Sequence, residues 1–370
     1  MRNCQSRSYI VFVSGLIFLI SLLAPVFFAQ SGGVFQIEKS VIASGGGASS
    51  GGVFSLNGTI GQPVAGTNSA GANLSLLSGF WASTGNVQTG RRAPFDFDGD
   101  NKTDISVFRP APAEWWINRS STGQTVAAQF GASSDRITPG DFTGDGKADI
   151  AFFRPSTGFW FILRSENGSF FSFPFGTTGD LPCPADFDGD SKTDPCVFRP
   201  STSTWFISRS GDGGTTISTF GTTGDVPVTA DFDGDGKSDI AIFRPNAPNG
   251  AEWWMARSTA GLVALQFGSN ADKPVQGDYT GDGRADIAFF RPSTGFWFIL
   301  RSEDFSFFSF PFGAAGDIPA PGDYDGDGKT DATVFRPSNS TWFINRSTAG
   351  TQIVNFGFAT DRPVPNAFVP

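Results

Sequence analysis

Short runs of alternating apolar and polar residues recur from about residue 104 to the end of the chain. In one representative unit these runs start at Asp286, Gly295, Phe308 and Ile318. Alternation over four to eight residues, with β-branched and aromatic side chains between Gly, Pro, Ser or Asp, is typical of half-buried strands. The units recur every 45 residues, with one spacing of 47 between Asp231 and Asp278. Four short strands per unit predict an all-β propeller.

A second periodicity sets the number of blades. The second and fifth units share GDGxADIAFFRPSTGFWFILRSE, the first and fourth share AEWW, and the third and sixth share STWFI. Because a block of three units is duplicated, we predict a pseudo-twofold ring of six four-stranded blades. The blades are predicted to start at residues 104, 149, 194, 239, 286 and 331 and to be complete without borrowed strands. In the open alternative, residues 93–97 and 365–368 overlap to close the ring.

The N-terminal part differs in composition. Arg2 and Arg7 precede an apolar run from Tyr9 to Phe28, which predicts a secretory signal peptide over residues 1–30. The run is also long enough to serve as an uncleaved membrane anchor. Residues 31–82 are predicted to form a small Gly/Ser-rich β-module from runs at 34–42, 53–60 and 73–81, with a partial blade or a stalk as alternatives. Residues 83–93 are a predicted linker and residues 94–370 the propeller, so we expect a secreted or cell-surface protein.

An acidic loop opens each unit of the predicted propeller. The clearest copy, DFDGDGKSDIAIFRP, starts at Asp231, and near-copies start at Asp96, Asp141, Asp186, Asp278 and Asp323. Carboxylates stand at positions one, three, five and nine of this copy, and glycines between them allow a tight turn. Such a set of hard oxygen donors suits Ca²⁺. Position twelve argues against an EF-hand, because it is Ile242, inside a strand-like run, and not Glu.

These loops, with FRP after each and a Phe-Gly pair later in each unit, resemble the FG-GAP/VCBS repeats of calcium-binding β-propellers such as the integrin α-subunit head. The resemblance implies side-chain ligands at positions one, three, five and nine and the backbone carbonyl at position seven. In chain order the implied ligands are Asp96, Asp98, Asp100, Lys102 and Asp104; Asp141, Thr143, Asp145, Lys147 and Asp149; Asp186, Asp188, Asp190, Lys192 and Asp194; Asp231, Asp233, Asp235, Lys237 and Asp239; Asp278, Thr280, Asp282, Arg284 and Asp286; Asp323, Asp325, Asp327, Lys329 and Asp331. Up to six Ca²⁺ ions are therefore expected. Thr143 and Thr280 remove one charge each, so their loops are expected to bind more weakly.

Charge and composition argue against several classes of function. The loops hold 22 of the 35 acidic residues, so the formal net charge of −9 reflects candidate metal sites and gives no support to nucleic-acid binding. The chain has no histidine, which removes the commonest general base and transition-metal ligand. A carboxylate cluster repeated six times also argues against a glycosidase site. We expect a monomeric, non-catalytic binding or adhesion scaffold for an unidentified extracellular protein or glycan, with a lectin and a polysaccharide-active enzyme as alternatives.

Three other repeated or paired residue types have a structural and a functional interpretation. Six tryptophans at one strand position are expected to pack between blades, whereas a lectin would use them to bind sugars: Trp115, Trp160, Trp205, Trp253, Trp297 and Trp342. Six arginines before proline are expected to stack and hydrogen-bond within their blades: Arg109, Arg154, Arg199, Arg244, Arg291 and Arg336. Cys183 and Cys196 flank the third loop, which predicts a disulfide, with two separate buried thiols as the alternative.

Overall fold

The computed structural model describes residues 92–369 and six short strands near the N-terminus. The chain divides into two compact units, Met1–Gln88 and Thr89–Pro370. In the first unit three antiparallel hairpins pair Ser31–Gly32 with Phe35–Gln36, Gly47–Gly51 with Phe54–Gly58, and Ser69–Gly71 with Leu74–Leu76. The predicted signal peptide, residues 1–30, lies outside the described residues. No helix of the described segments is long and apolar enough to cross a bilayer.

The second unit is the predicted propeller, with six antiparallel sheets of four strands each. We number the strands of each blade by their order in its sheet. The short first strands of blades 1 to 6 are Arg362–Pro363, Arg136–Ile137, Leu181–Pro182, Val226–Pro227, Lys273–Pro274 and Ile318–Pro319. The second strands are Ile105–Arg109, Ile150–Arg154, Cys196–Arg199, Ile240–Arg244, Ile287–Arg291 and Ala332–Arg336. The third strands are Glu114–Asn118, Phe159–Leu163, Thr204–Ser208, Glu252–Arg257, Phe296–Leu300 and Thr341–Arg346. The fourth strands are Thr125–Gln129, Phe170–Pro174, Thr215–Thr219, Gly261–Gln266, Phe307–Pro311 and Gly350–Asn355.

The ring closes with a strand from the C-terminus. Arg362–Pro363 pairs with Ile105–Arg109 and supplies the first strand of blade 1. The following residue, Val364, is fully buried and begins a single 3₁₀ turn, Val364–Asn366. The prediction of six blades complete without borrowing is therefore wrong. The C-terminus does close the ring, but with residues 362–363 and not with the 93–97 and 365–368 segments of the alternative. The short strand at the end of each unit pairs with the next unit, so blade 1 obtains its first strand only from the chain end.

The core lies between the blades, as expected for sheets covered on both faces. Second strands are almost wholly buried, whereas fourth strands alternate between exposed and half-buried positions. The six tryptophans on the third strands are all 0% exposed. Each indole N–H donates to a phenylalanine carbonyl, for example Trp297 to Phe312 at 2.8 Å. The packing interpretation of these tryptophans is confirmed, and they are not available as a sugar platform.

Candidate metal centre

The acidic loops join the first and second strands in blades 2 to 6, and loop 1 leads into the second strand of blade 1. We number the loops by blade and the positions in each loop from one to nine. In blades 2 to 6, a backbone β-bridge joins the residue before position one to position nine, as between Gly277 and Asp286 in loop 5. The nine-residue turn is thus clamped at both ends by its own sheet. Its side chains are held in one place because the strands on either side are fixed.

The carboxylate at position one organises the turn. In loop 6, Asp323 accepts hydrogen bonds from the backbone N–H of Gly326 at 2.7 Å and of Gly328 at 2.9 Å. The same pair of bonds recurs in every loop. Position six needs a left-handed backbone, which glycine adopts in four loops and which Asn101 and Ser191 adopt with φ of 63° and 67°. Local sequence therefore fixes the loop backbone before any ion is considered.

The carboxylate at position nine ties the loop to the hairpin between the third and fourth strands. Asp331 is 1% exposed and accepts hydrogen bonds from the backbone N–H of Tyr324 and of Ser347. An equivalent serine follows an arginine in every one of these hairpins and donates to position nine of its own loop. This tertiary contact brings the hairpin against the open side of the loop.

Position three carries an oxygen that has no partner. The Oδ2 atoms of Asp98, Asp233 and Asp325 accept hydrogen bonds from the adjacent hairpin, but their Oδ1 atoms are buried and unpaired. The hydroxyl oxygens of Thr143 and Thr280 are likewise buried and unpaired. In five of the six loops the same position thus presents a buried oxygen without a hydrogen bond. Buried polar atoms are nearly always satisfied, so these five atoms need an explanation.

Positions one, three and nine converge. In four loops, carboxylate oxygens from these three positions lie within 4.8 Å of one another: Asp96, Asp98 and Asp104; Asp186, Asp188 and Asp194; Asp231, Asp233 and Asp239; Asp323, Asp325 and Asp331. Position five lies outside these groups. Its carboxylate accepts hydrogen bonds from the position-seven N–H and the hairpin serine, as Asp327 does from Lys329 and Ser347. The structure thus brings together three of the four predicted side-chain ligands in each of these loops.

Burial dominates the electrostatics of position nine. It raises the pKa of Asp104, Asp239 and Asp286 to about 6 and that of Asp331 to about 7. Burial also raises the pKa of Asp96, Asp186 and Asp323 at position one, and neighbouring carboxylates of the same loop add to the shift. At position three, burial also raises the pKa of Asp233 and Asp325. Hydrogen bonds from Thr259 and Thr348 to these carboxylates outweigh burial, so the pKa of both groups is lowered. Without a cation, each loop holds carboxylates that resist ionisation.

A pH dependence of the metal-free protein follows. A carboxyl group whose pKa is raised by folding stabilises the fold below its unfolded pKa of about 4, and this stabilisation is lost as pH rises through about 6 to 7. We therefore expect the melting temperature of chelator-treated protein to fall by several degrees between pH 5 and pH 8. Saturating Ca²⁺ should flatten or reverse this slope, because the ion replaces the protons. A metal-free melting temperature that rises over the same range would contradict the electrostatic argument.

The six loops are linked into a ring. The backbone N–H at position eight of each loop donates to the carbonyl of position one in the preceding loop at 2.6–2.7 Å: Ala148 to Asp96, Thr193 to Asp141, Ser238 to Asp186, Ala285 to Asp231, Thr330 to Asp278 and Thr103 to Asp323. The last of these bonds joins blade 1 to blade 6. The lysine or arginine at position seven also lies over the position-four glycine of the preceding loop, as Lys329 does over Gly281. Each loop is therefore positioned by its neighbour.

The six arginines of the FRP segments each form the same ion pair and aromatic contact in their blade. Each forms a two-bond ion pair with a buried aspartate of its own sheet, such as Arg291 with Asp272 at 2.7 Å. The partners of the other five are Asp361, Asp135, Asp180, Asp225 and Asp317. Each guanidinium also lies over an aromatic ring, such as that of Phe298 at 4.7 Å. The structural interpretation of these arginines is confirmed. Their partners went unrecognised, although an aspartate precedes the first strand of every blade and could have revealed them.

The two cysteines of blade 3 come together. Cys183 and Cys196 are both buried free thiols, and their Sγ atoms lie 2.9 Å apart. Burial raises the pKa of the Cys196 thiol well above its usual range. The disulfide between them stays a prediction.

The donor set fits a hard cation. Each described loop offers oxygen ligands only, and the unpaired oxygen at position three lies beside the crowded carboxylates of positions one and nine. Such oxygens are the ligands that Ca²⁺ takes in flexible loops. The backbone carbonyls assigned to position seven, at Lys102, Lys147, Lys192, Lys237, Arg284 and Lys329, belong to the same turns. The residues present therefore suit the metal that the sequence motif implies.

Comparison with known proteins identifies the repeat. The model of the FG-GAP-like repeat matches residues 96–152, 186–242 and 278–334, and these three segments contain all six loops. No curated protein matches the sequence.

Similar solved structures include AofleA from Arthrobotrys oligospora, with 10% identity over 71% of this chain and 88% of that one and a TM-score of 0.47. An Agrocybe aegerita lectin that recognises non-reducing terminal N-acetylglucosamine has 19% identity, 75% and 80% coverage and a TM-score of 0.45. Virginiamycin B lyase from Staphylococcus aureus has 9% identity, 70% and 85% coverage and a TM-score of 0.44.

Proposed function

This chain is a six-bladed β-propeller of FG-GAP-like repeats, and we propose that it binds Ca²⁺ in all six loops and acts as a secreted or cell-surface, non-catalytic binding scaffold. The proposal rests on the unpaired buried oxygen at position three, present in five loops. An ion at this point would satisfy that oxygen and neutralise the carboxylates of positions one and nine. A structural turn without an ion would leave the same oxygen unsatisfied five times.

The residues of the site explain what binding would do for the fold. Position nine holds the hairpin serine and position one holds the turn, so both groups are already oriented toward one point. When bound, Ca²⁺ would supply the positive charge that offsets carboxylate repulsion within each loop. Because the loops are joined by backbone hydrogen bonds, order in one loop supports the position of the next. The expected role of calcium is to hold the ring together.

Two observations support a binding role over catalysis. The chain has no histidine, and its carboxylates stand in the same hydrogen-bond frame in each of six loops, which is typical of repeated structural sites. A lectin remains the second candidate, although its sugar platform would need aromatic residues other than the six buried tryptophans.

Metal stoichiometry tests the proposal. The full chain, stripped of metal and dialysed against millimolar Ca²⁺, is expected to hold close to six equivalents, with Ca²⁺ preferred over Mg²⁺. The concentration must reach the millimolar range, because extracellular calcium modules bind with Kd of about 10⁻⁴ to 10⁻³ M. Protein that retains no Ca²⁺ under these conditions would overturn the proposal.

A further inference from the structure

Two loops lack the carboxylate at position three, and in both blades the hairpin bonded to the loop carries a glutamate. The hairpin residue after the repeated Arg-Ser pair is Ser121, Gly211, Thr259 and Thr348 in blades 1, 3, 4 and 6, where position three is Asp. It is Glu166 in blade 2 and Glu303 in blade 5, where position three is Thr143 and Thr280. In four blades the acidic residue is therefore on the loop, and in blades 2 and 5 it is on the hairpin. Counted over the loop and this hairpin position, each of the six units has four acidic residues.

The contacts in the other four blades show that these two positions are neighbours. The backbone N–H of the hairpin residue donates to the position-three carboxylate in all four: from Ser121 to Asp98, from Gly211 to Asp188, from Thr259 to Asp233 and from Thr348 to Asp325, at 2.9–3.2 Å. The hairpins of blades 2 and 5 are held to their loops by the same serine bond, from Ser165 to Asp149 and from Ser302 to Asp286. Repeat equivalence therefore places each glutamate beside its threonine.

The structure of blade 5 agrees with this placement. Thr280 and Glu303 line one surface groove, together with Lys329 of the next loop. The hydroxyl oxygens of Thr280 and Thr143 are buried and have no hydrogen-bond partner. An unpaired oxygen at position three is the same feature that marks the ion position in loops 1, 4 and 6. Glu303 is exposed, so its carboxylate is free to turn toward the loop.

From these observations we infer that Glu166 and Glu303 supply the missing acidic ligand of loops 2 and 5, so that all six sites bind a divalent cation with the same carboxylate count. This inference rests on the proposed calcium sites. It replaces the expectation that the two threonine loops bind more weakly, because that expectation counted acids along the loop alone. The ligand comes from a segment 23 residues further along the chain.

The test compares matched pairs of charge removals in the full chain by calorimetric Ca²⁺ titration. The variant Glu166→Gln/Glu303→Gln should bind about four equivalents in the original affinity range, with the remaining two weakened about tenfold or lost. The control, Glu114→Gln/Glu252→Gln, makes the same two substitutions at the start of the third strands of blades 1 and 4, at the opposite end from the hairpins, and should keep about six. Adding Thr143→Asp and Thr280→Asp to the glutamine variant should restore six, because it recreates the acid on the loop.

The outcomes distinguish the claim that the two glutamates are ligands from the claim that the loops bind Ca²⁺. If the native chain binds about six ions and the glutamine variant matches the control, the glutamates are not ligands while the calcium sites stand. If the native chain binds about four, loops 2 and 5 are not sites and this inference is overturned. If the native chain binds none, the proposed function fails first, and the inference fails with it. Melting curves in chelator show whether the variants fold, because the glutamates are exposed and their replacement should leave metal-free stability unchanged.

Discussion

Adding 10 mM Ca²⁺ to the metal-free protein is expected to raise its melting temperature by about 15 °C. A site with a Kd of about 10⁻³ M stabilises the folded state by about 1.4 kcal/mol at this concentration, provided that the unfolded chain does not bind. Six such sites contribute roughly 8 kcal/mol, and one kcal/mol shifts the melting temperature of a domain of this size by about 2 °C. Tighter sites would give a larger shift. The measurement is differential scanning calorimetry after chelation, with and without Ca²⁺.

Two controls decide whether the shift comes from the loops. Mg²⁺ at the same concentration should give a much smaller rise, because it prefers a rigid octahedral site and retains its water. Asp233→Asn removes the buried ligand of loop 4 and should reduce the shift by about one sixth, whereas Asp212→Asn, on an exposed hairpin, should not. If Ca²⁺ leaves the melting temperature unchanged, the loops are structural turns and calcium does not hold the ring.

The strand that closes the ring carries the second large effect. Replacing Val364 with Asp should cost at least about 4 kcal/mol, because it removes a fully buried apolar side chain and places an unpaired charge in the core. Val364 follows the strand that completes blade 1, and it packs in one cluster with Phe95 and Phe108. The substitution therefore weakens the junction between the two chain ends. Urea unfolding of the full chain, monitored by tryptophan fluorescence, measures the loss.

The matched control is Ile353→Asp in the fourth strand of blade 6. Ile353 is 63% exposed, so the same change of side chain should alter stability by less than about 1 kcal/mol. Deletion of residues 362–370 should act at least as strongly as Val364→Asp, because it also removes the first strand of blade 1 and the ring of Phe368, which stacks on Phe95 at 5.8 Å. Equal stability of the Val364 and Ile353 variants would show that closure by the C-terminal strand does not support the fold.

Sequence alone gave the repeat, the number of blades and the composition of the loops. These features were readable because they are local. Position one organises its turn through hydrogen bonds within five residues, and alternation along a strand reports which face is buried. The six loops, their spacing and the packing role of Trp297 and its equivalents could all be predicted on this basis. The structure confirms the fold and the packing of these tryptophans.

Only the tertiary structure decided which strands of successive units form one blade and which side chains contact each other. The short strand of each unit pairs with the following unit, and nothing within one unit distinguishes this arrangement from a self-contained blade, so the ring closure was mispredicted. The pairing of Arg291 with Asp272 and the approach of the hairpin serine to Asp286 join residues 16 to 19 positions apart. Such contacts depend on how sheets twist and where hairpins fold back. The loop sequence determined which atoms can bind a cation. The fold determined that the oxygen at position three is buried and unpaired in five loops and that position five turns to the hairpin.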